Sequence, residues 1–427
     1  MSWTTIVLMA IAGAMGAALT NRGIAVFHDG LRPLVPEMIE GRMQRREFGA
    51  LAFSMSFGLL VGYGLPFSVV SGVVLYHSLW LGTDVIGAQF PGPIGSDRQL
   101  RGRVLLGLIG ATLAGGIYGA LLAAGLAGVR WLFSHLPIPL DGSLQEMEAP
   151  IILTFAMFPA LAVAYQHGAR HGVLAFLLTL LARQVASALG LAGPDTWALG
   201  VGMAVLLVYA VLAQKRSQPG QGVVAVSTQG TARIRRYLPA IARVGAVYGL
   251  VCNQAVIMES PQSLLALSQG ERATAIGVTI GRGLCFTPLK TMSAAATGVF
   301  AMDGFGFVAA AGLLAPNAGV AALAGAIVMS LEALSLAALS RLLCRWPVLS
   351  QTADAMRTAM TKLLEIASLV GGMLAANSLT PGLGFVAVAG LYALNEVAGL
   401  PVMRAAAGPV AVLLFGLGLN LFAWITR

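Results

Sequence analysis

The chain is a succession of long apolar runs separated by short polar stretches. Most of the runs reach the roughly 17–25 residues that an α-helix needs to cross a hydrocarbon core of about 30 Å. Apolar and polar residues do not alternate within the runs, as they would in the strands of a membrane β-barrel. The pattern therefore predicts an all-α polytopic membrane protein.

We predict about 14 membrane segments, some of them broken or re-entrant. No basic stretch precedes the first run, so we expect a retained helix rather than a signal peptide. The predicted segments lie near 3–20, 48–65, 67–90, 104–128, 150–166, 171–193, 196–213, 238–257, 273–287, 288–303, 318–343, 360–379, 381–399 and 404–426.

The amino-acid composition also favours a membrane protein over a soluble one. The 427 residues are 57% hydrophobic and 10% charged, with a mean hydropathy of +0.83. Soluble domains carry about 25% charged residues, so a soluble fold would expose far too much apolar surface. The net charge of +9 would suggest a nucleic-acid partner in a soluble protein. Here the basic residues cluster in a few loops, as the positive-inside rule describes, and we predict no nucleic-acid partner.

The most basic loop sets the predicted orientation. Residues 214–237 carry five basic residues and no acidic one, which predicts a cytoplasmic linker. Counting outward from it places the loops 21–47 and 97–103 inside and the acidic loop 141–150 outside. The linker separates a first repeat at residues 1–213 from a second repeat at residues 238–427, and we predict that both lie in a lipid bilayer. The basic residues are Lys215, Arg216, Arg233, Arg235 and Arg236.

The two halves resemble each other. Residues 58–87 align with residues 277–306 without a gap. With seven predicted segments in each half, the second copy is reversed, so we predict two inverted-topology repeats. The identical positions are Gly58/Gly277, Gly62/Gly281, Gly64/Gly283, Leu65/Leu284, Phe67/Phe286, Asp84/Asp303 and Gly87/Gly306.

Helix-breaking residues interrupt the aligned segments. Three glycines and a proline lie in the run "GLLVGYGLPF" at 58–67, and "GVTIGRGLCF" at 277–286 is its counterpart. Broken membrane helices leave backbone groups free to bind a ligand where they line a cavity. We therefore predict opened helices at both places, with half-helix N-termini after Pro66 and Pro288 that favour anionic or hydroxyl-rich groups.

Polar residues in and beside these segments are the predicted substrate-binding residues, because a charge near the bilayer centre must face protein or water. Two alternatives stay open: Asp84 and Asp303 as carboxylates that cap a neighbouring helix or pair with an arginine, and His77 as a satisfied core histidine. The candidates are Asn21, Asp29, Tyr63, His77, Asp84, Asn253, Glu259, Arg282, Thr287, Lys290 and Asp303.

A second group lies within later segments of each half. Arg183 corresponds to Asn395 in the proposed repeat, and Glu396 follows directly, so we predict an Arg183–Glu396 pair across the repeat axis. Such a pair is either structural or part of an ion-coupling path. Two polar stretches, 28–47 and 352–369, have apolar residues near helical spacing; they are ordinary connecting helices or interfacial arms that tether a moving domain.

The sequence lacks the motifs of metal sites, of P-loop ATPases and of common hydrolases. Cys252, Cys285 and Cys344 show no metal-ligand spacing, so we predict no metal and no cofactor. The chain has no phosphate-binding G-x-x-x-x-G-K-[ST], no H-E-x-x-H and no G-x-S-x-G. We therefore predict no catalytic residues and a protein that is not an enzyme.

Several ordered stretches carry a family resemblance: "NRG" at 21–23, "HDGLRP" at 28–33, "GYGLPF" at 62–67, "GTDVIG" at 82–87 and "GRGLCFTPLK" at 281–290. Over essentially its whole length the chain resembles the YhfT family of bacterial inner-membrane proteins. The resemblance implies a transporter and supplies no site residues. In architecture alone, the chain is distantly similar to the membrane components of ascorbate/galactitol phosphotransferase systems. Those proteins form dimers and move a substrate-binding core against a scaffold, so we expect a homodimer.

Together these observations favour a transporter of a small polar solute, anionic or sugar-like, that works by alternating access of the elevator kind. Coupling to H⁺ or Na⁺, or a soluble partner that supplies the energy, would suit a chain without an ATPase motif. The alternative is a membrane-embedded enzyme acting on a lipid or isoprenoid phosphate through Lys290, Arg282 and His77. The sequence does not choose among anionic sugars, amino-acid conjugates and nucleosides as substrates.

Overall fold

The protein is described by a computed structural model that covers residues 2–28, 30–93, 101–214, 232, 234–297, 299–301, 306–343 and 348–426. The first half holds α1 (Trp3–Asn21), β1 (Ala25–Val26), α2 (Leu34–Ile39), α3 (Arg45–Leu59), a π-helical turn (Leu60–Gly64), α4 (Leu65–Ser71), β2 (Val74–Leu75), α5 (Tyr76–Gln89), α6 (Arg101–His135), α7 (Asp141–Gln145), α8 (Glu148–Phe155), α9 (Phe158–His167), α10 (Ala169–Ala188) and α11 (Pro194–Gln214). The second half holds α12 (Leu238–Asn253), β3 (Ile257–Met258), α13 (Pro261–Ser268), α14 (Arg272–Thr297), β4 (Phe300–Ala301), α15 (Gly306–Leu314), α16 (Ala318–Leu343), α17 (Val348–Leu379), α18 (Leu383–Val397) and α19 (Arg404–Ile425).

The helices have the lengths and composition of membrane spans. Among the described residues, eight helices are long and apolar enough to cross a membrane, or nine if the bent pair Gly142–Thr154 and Phe158–His167 is one span. Large apolar side chains such as Leu106 and Val397 are exposed on the outer helix faces, where a bilayer would cover them. The prediction of an all-α membrane protein is confirmed, whereas the predicted count of 14 exceeds the helices of spanning length.

Glycines lie at the contacts of the long helices α6 and α16 with α1 and α12. On α1, a Cβ built on Gly13 would lie 2.2 Å from the carbonyl oxygen of Gly115 on α6. The same relation joins α12 and α16, where a Cβ on Gly245 would lie 2.4 Å from the carbonyl oxygen of Gly325. Small residues let helix backbones approach closely in lipid, where no hydrophobic force drives helices together.

Replacing Gly115 with leucine is therefore expected to destabilise the α1–α6 contact by about 1–3 kcal/mol through overpacking. The measurement is the thermal unfolding temperature of the protein purified in detergent. Gly128→Leu on the same helix is the control, because a Cβ there meets no atom within 4 Å. Equal unfolding temperatures for the two variants would contradict the proposed tight contact.

Four short strands interrupt the helical structure of the described ranges. β1 pairs in parallel with β4, and β2 pairs in parallel with β3, so each pair joins the first half of the chain to the second. All eight strand residues are buried. Non-helical backbone is tolerated at membrane depth only where protein surrounds it or it lines a cavity, and these strands meet that condition through burial and mutual pairing.

The run at 58–67 does not open the helix, and that prediction is wrong. Arg45–Ser71 stays helical throughout, because the π-helical turn lets the amide of Leu65 donate to the carbonyl of Leu60, five residues back. Gly62 and Gly64 serve close packing instead: Cβ atoms there would lie 2.7 Å from the carbonyl oxygen of Ala405 and 2.9 Å from the amide nitrogen of Ser78.

The predicted half-helix N-termini are absent for the same reason. Pro66 lies in the first turn of α4, directly behind the π-helical turn, and Pro288 lies inside the continuous α14. The backbone leaves the helical conformation elsewhere, for instance at Gly72, which ends α4 with a left-handed φ of 71° before β2 begins. The interruptions lie at the strands, several residues away from the glycine and proline clusters.

The helices form two packed groups. α1, α5 and α6 pack with one another, as do α12, α15 and α16, and α1 contacts α12. The second group consists of α8 to α11 together with α17 to α19. Several contacts connect the groups: the π-helical turn and α3 pack on α19, α14 packs on α11 and α17, and α13 packs on α8.

The two polar stretches have different structures. In 28–47, the chain forms the short helix α2, and Glu37 at an exposed position binds Arg42 with 2.5 Å between Oε2 and Nε. Hydrogen bonds from Arg42 lower the pKa of Glu37. Residues 352–369, by contrast, belong to the continuous helix α17 and form no separate interfacial arm.

Candidate functional site

The pairing of β2 with β3 brings two candidate residues together. In the parallel register, Val74 lies opposite Ile257 and Leu75 opposite Met258. Because parallel strands end at the same side, the residues that follow each strand become neighbours. Tyr76 follows β2 and Glu259 follows β3, so these two residues, far apart in sequence, become neighbours, and His77 comes directly after Tyr76.

An acidic and a basic side chain form the charged part of this place. Oε2 of Glu259 lies 3.6 Å from Nε of Arg282 on α14, and both side chains are 6% exposed. Nη1 of Arg282 donates to Oε1 of Gln262 at 3.4 Å, and its guanidinium carbon lies 5.3 Å from the ring centroid of Phe286. Oε1 of Glu259 is buried and has no hydrogen-bond partner among the described residues.

Aromatic rings form the uncharged part of the same buried place. The ring of His77 lies 5.1 Å from Phe27, 4.7 Å from Tyr63 and 4.4 Å from Tyr76 between centroids, each nearly perpendicular to it. Nδ1 of His77 is buried without a hydrogen-bond partner in the described part of the chain. Tyr76 and Glu259 occupy equivalent positions directly after the paired strands, and the ring of His77 packs on Tyr76, so the ring cluster lies next to the charged pair.

We call Tyr63, His77, Glu259, Gln262 and Arg282 the central site. Four of these residues were predicted from the sequence. Gln262 was not predicted as a site residue, although it lies three residues after Glu259. The ring partners Phe27 and Tyr76, each directly after a strand, were not predicted either. The π-helical turn carries Tyr63, and such turns occur often at functional sites.

Lys290 is part of a second buried pair. Its Nζ donates to Oε1 of Glu332 on α16 at 2.9 Å, and the two side chains are 1% and 6% exposed. Nζ also lies 5.7 Å from the ring centroid of Phe307. A cavity of about 450 Å³ between α14, α15 and α16 is lined by Glu332 and Phe307 and by apolar side chains. The hydroxyl of Thr287 lines the same cavity but donates to the carbonyl of Gly283 in its own helix.

Asp84 binds the protein's own backbone. Its Oδ1 accepts hydrogen bonds from the hydroxyl of Thr20 at 2.8 Å and the amide of Phe27 at 3.2 Å. Its Oδ2 accepts from the amide of His28 at 2.8 Å. The carboxylate thus fixes the segment that follows β1, which is closer to the capping alternative than to ligand binding.

Asn21 and Asn253 bind the ends of neighbouring helices. Nδ2 of Asn21 donates to the carbonyls of Gly87, Phe90 and Pro91 at 3.1–3.2 Å. Nδ2 of Asn253 donates to the carbonyls of Gly312 and Ala315 at 3.0 and 2.9 Å. Each asparagine ties the last helix turn of α5 or α15 to the helix that precedes a strand, and these amide hydrogens are not free for a solute.

Two arginines that were not predicted as site residues also bind the C-terminal ends of α5 and α15. Nη2 of Arg45, the first residue of α3, donates to the carbonyl of Gly87 at 2.6 Å. Arg272, the first residue of α14, donates from Nε to the carbonyl of Leu313 at 3.0 Å. A positive charge at a helix C-terminus also interacts favourably with the helix dipole.

The predicted Arg183–Glu396 pair does not form. Nε of Arg183 lies 2.7 Å from Oδ1 of Asp195, and Glu396 accepts two hydrogen bonds from Arg404 at 2.7 and 2.8 Å. Asn395 exchanges hydrogen bonds with the backbone of Val402. Each charge finds a partner across the short connection that follows its own helix, so neither needs the other half of the chain.

Three predictions fall outside the described residues: those for Asp29, for Asp303 and for most of the basic loop 214–237. Within the described ranges, no three His, Cys, Asp or Glu side chains converge as metal ligands would.

Comparison with known proteins gives consistent matches. The sequence profile of YhfT, described as a protein of unknown function, matches residues 5–427. The chain is 34% identical over 440 aligned residues to a protein of Escherichia coli (strain K12) named "Uncharacterized protein YhfT", and the alignment covers 98% of this chain and 97% of that protein. No solved structure matches the chain significantly.

Proposed function

This chain belongs to the YhfT family, and we propose that it is an integral membrane transporter that moves a small polar solute by alternating access. The observation that carries the proposal is the central site. There, ionisable and aromatic side chains from both halves of the chain meet next to paired strands in the interior of a helical membrane protein. Intramembrane ionisable groups are costly and usually mark substrate or ion pathways.

Inverted repeats are part of this proposal, and the two halves share features that support them. In each half a helix, a strand, a short helix, a long helical segment, a second strand and a further helix follow in order. The first strand of each half pairs with the second strand of the other. Asn21 and Asn253 play equivalent roles, as do Arg45 and Arg272.

These equivalences imply a different register from the ungapped alignment. They match β2 with β4, so Asp84, well inside α5, does not correspond to Asp303, which follows the last residue of β4 by two positions in the sequence. In this register, the residues equivalent to 58–67 lie within α14, which is a continuous helix. The second half therefore has no opened helix at the matching place.

We further propose that the two packed groups move against each other. The group of α1, α5, α6, α12, α15 and α16 would carry the solute as one unit, together with both strand pairs and with the π-helical turn, α13 and α14, which hold Tyr63, Gln262 and Arg282. The group of α8 to α11 and α17 to α19 would be the scaffold of a homodimer in the bacterial inner membrane. A gradient of H⁺ or Na⁺ or a soluble partner would supply the energy.

Uptake into proteoliposomes tests the proposal. Solutes that raise the unfolding temperature of the purified protein are first identified from a panel of sugars, carboxylates, amino acids and nucleosides. Arg282→Gln is then expected to reduce saturable uptake of the identified solute by roughly tenfold or more, because it removes a buried contact worth at least about 1.4 kcal/mol. Arg357→Gln is the control, since its partner Asp354 is 70% exposed.

Unchanged uptake by Arg282→Gln would exclude the central site as the solute site. Orientation is tested separately with a cysteine in place of Ser227 in the basic loop. We expect a membrane-impermeant thiol reagent to label it only after the inner membrane is opened. Labelling in intact spheroplasts would overturn the proposed topology.

The second candidate is an enzyme acting on a lipid or isoprenoid phosphate. The cavity between α14, α15 and α16 favours it, because apolar side chains and the Lys290–Glu332 pair line or adjoin it. The ammonium of Lys290 is already bound to a carboxylate, however, which disfavours phosphate binding there. Release of inorganic phosphate from polyprenyl diphosphate by the purified protein would support this candidate over transport.

A further inference from the structure

We infer that a groove between α6 and the helical segment 61–69 binds an acyl chain of a membrane phospholipid whose headgroup carries a net negative charge, with the lipid phosphate at Arg130. The inference does not depend on the proposed transport, because it concerns the outer surface of the protein and not the central site. It follows from the lining of the groove, the charge at one end of it, and the helices that it joins.

The groove is elongated and apolar. It has a volume of about 290 Å³ and is lined only by apolar side chains and glycine. On α6 the lining positions Leu121, Gly125, Val129 and Phe133 recur every fourth residue, so they lie along one face of the helix over about 18 Å. In the segment 61–69, lining residues also recur at intervals of four. Two such rows of apolar residues match the shape of an extended hydrocarbon chain.

The groove is open toward the hydrocarbon of the bilayer. Leu126 and Leu144 are buried in it, whereas Leu121 is 64% and Val129 is 37% exposed. The helix Gly102–His135 has the length and composition of a membrane span, so these exposed side chains face lipid. Side chains beside an empty groove lose dispersion contacts, and a hydrocarbon chain in the groove would supply them.

Arg130 lies at one end of the groove. It directly follows the lining residue Val129, and a Cβ built on Gly72 would collide with its guanidinium, so this group lies against the C-terminal end of α4. The side chain is exposed and forms no ion pair or hydrogen bond with the described residues. A guanidinium binds phosphate oxygens through paired N–H donors. A lipid phosphate would give Arg130 the opposite charge that the described part of the chain does not provide.

The residues around Arg130 place it at the depth of lipid headgroups. Trp131 is 62% exposed, and α6 ends four residues later at His135. Tryptophan is enriched at membrane–water interfaces, and arginine near a helix end extends toward the headgroups. Leu121 lies more than two helix turns deeper, so an acyl chain would run inward from Arg130. A headgroup of net negative charge suits the site best, because the ammonium of a zwitterionic headgroup would offset the attraction.

The groove joins the two packed groups of helices. Most of its lining on one side comes from α6, which belongs to the first group, and Leu413 on α19 belongs to the second. A chain bound there contacts both groups in the folded protein and loses these contacts on unfolding. Bound phospholipid is therefore expected to stabilise the fold.

Two phospholipids with identical acyl chains test the inference. Palmitoyl-oleoyl phosphatidylglycerol carries a net negative charge, and palmitoyl-oleoyl phosphatidylethanolamine is zwitterionic. Each is added to the full chain purified and delipidated in detergent. We expect phosphatidylglycerol to raise the unfolding temperature at roughly tenfold lower concentration, a difference of about one decade in Kd. Equal effects of the two lipids overturn the inference.

A pair of glycines on α6 offers matched variants for the groove. A Cβ on Gly125 or on Gly128 meets no atom within 4 Å, but only Gly125 lines the groove. Gly125→Leu is expected to fill the groove without displacing the backbone and to weaken the effect of phosphatidylglycerol at least tenfold. Gly128→Leu is expected to keep the effect. Equal responses of the two variants to phosphatidylglycerol overturn the groove as the binding place.

Arg130→Gln tests the headgroup contact. It is expected to remove the preference for phosphatidylglycerol over phosphatidylethanolamine, because the amide has no charge. Arg103→Gln, at an exposed position near the other end of the same helix, is the control that keeps the preference. A preference retained by Arg130→Gln overturns the assignment of the phosphate to Arg130.

A measurement on the wild-type chain keeps the inference testable where a variant fails to fold. Phosphatidylglycerol with a photoreactive acyl chain is crosslinked to the protein, and the labelled peptides are identified by mass spectrometry. We expect label within 61–69 and 121–133, and label confined to other helices overturns the inference. A second copy of the chain in the groove would appear as a dimer that Gly125→Leu dissociates, and that result overturns the inference as well.

Discussion

Replacing Lys290 with methionine is expected to lower the free energy of unfolding by about 3–5 kcal/mol, because it removes the ammonium that compensates the buried carboxylate of Glu332. The ammonium and the carboxylate lie 2.9 Å apart, and the two side chains are 1% and 6% exposed. Methionine keeps the length of the apolar stem, so the lost charge accounts for the effect. The measurement is the unfolding temperature of the protein in detergent.

A double replacement distinguishes the pair from the packing around it. Lys290→Met combined with Glu332→Leu removes both charges and is expected to recover most of the lost stability, since apolar substitutes for a buried pair are often neutral or stabilising. Lys362→Met is the control, because that lysine is 44% exposed in its contact with Glu365. A double variant no more stable than the single one would mean that the pair does not account for the loss.

Asp84→Ala is expected to destabilise the protein by about 3 kcal/mol or more, since each buried donor left unsatisfied costs about 1–3 kcal/mol. The alanine would leave the amides of Phe27 and His28 without their acceptor. Both amides directly follow β1, so we also expect faster amide hydrogen exchange across residues 22–28. Asp354→Ala at an exposed position is the control.

The exchange measurement separates local from general effects. If the carboxylate fixes the segment after β1, exchange rises there and in the paired β4, and less in the distant helices α10 and α18. Normal protection of residues 22–28 in Asp84→Ala would contradict a role in fixing this segment and would return Asp84 to the candidates for solute contact.

The sequence predicts both that this is a membrane protein and most of the residues of the central site. Repeated apolar runs of spanning length are typical of membrane helices and rare in soluble folds, and polar side chains inside such runs must have a partner or a function. Tyr63, His77, Glu259 and Arg282 were therefore visible as candidates. Their meeting at one place was not, because two-residue strands carry no periodic signal that would predict their pairing.

The glycine run at 58–67 was misread because glycine has two uses that sequence alone does not separate. It loosens a helix, but it also lets another backbone approach, and Gly62 and Gly64 do the latter against Ala405 and Ser78. Likewise, Arg183 and Glu396 were assigned to each other by symmetry, whereas each has a partner just beyond the end of its own helix. Local partners are entropically easier to bring together than distant ones.

The exchange of strands between the halves has a consequence for how the protein is made. Ala25 and Val26 are buried against residues that the ribosome adds much later, Phe300 and Ala301. At synthesis rates of about 5–20 residues per second, roughly tens of seconds separate the two. During that interval the backbone groups of β1 that pair with β4 in the folded protein have no strand to pair with. Assembly of this membrane protein is therefore completed only after its second half has been translated.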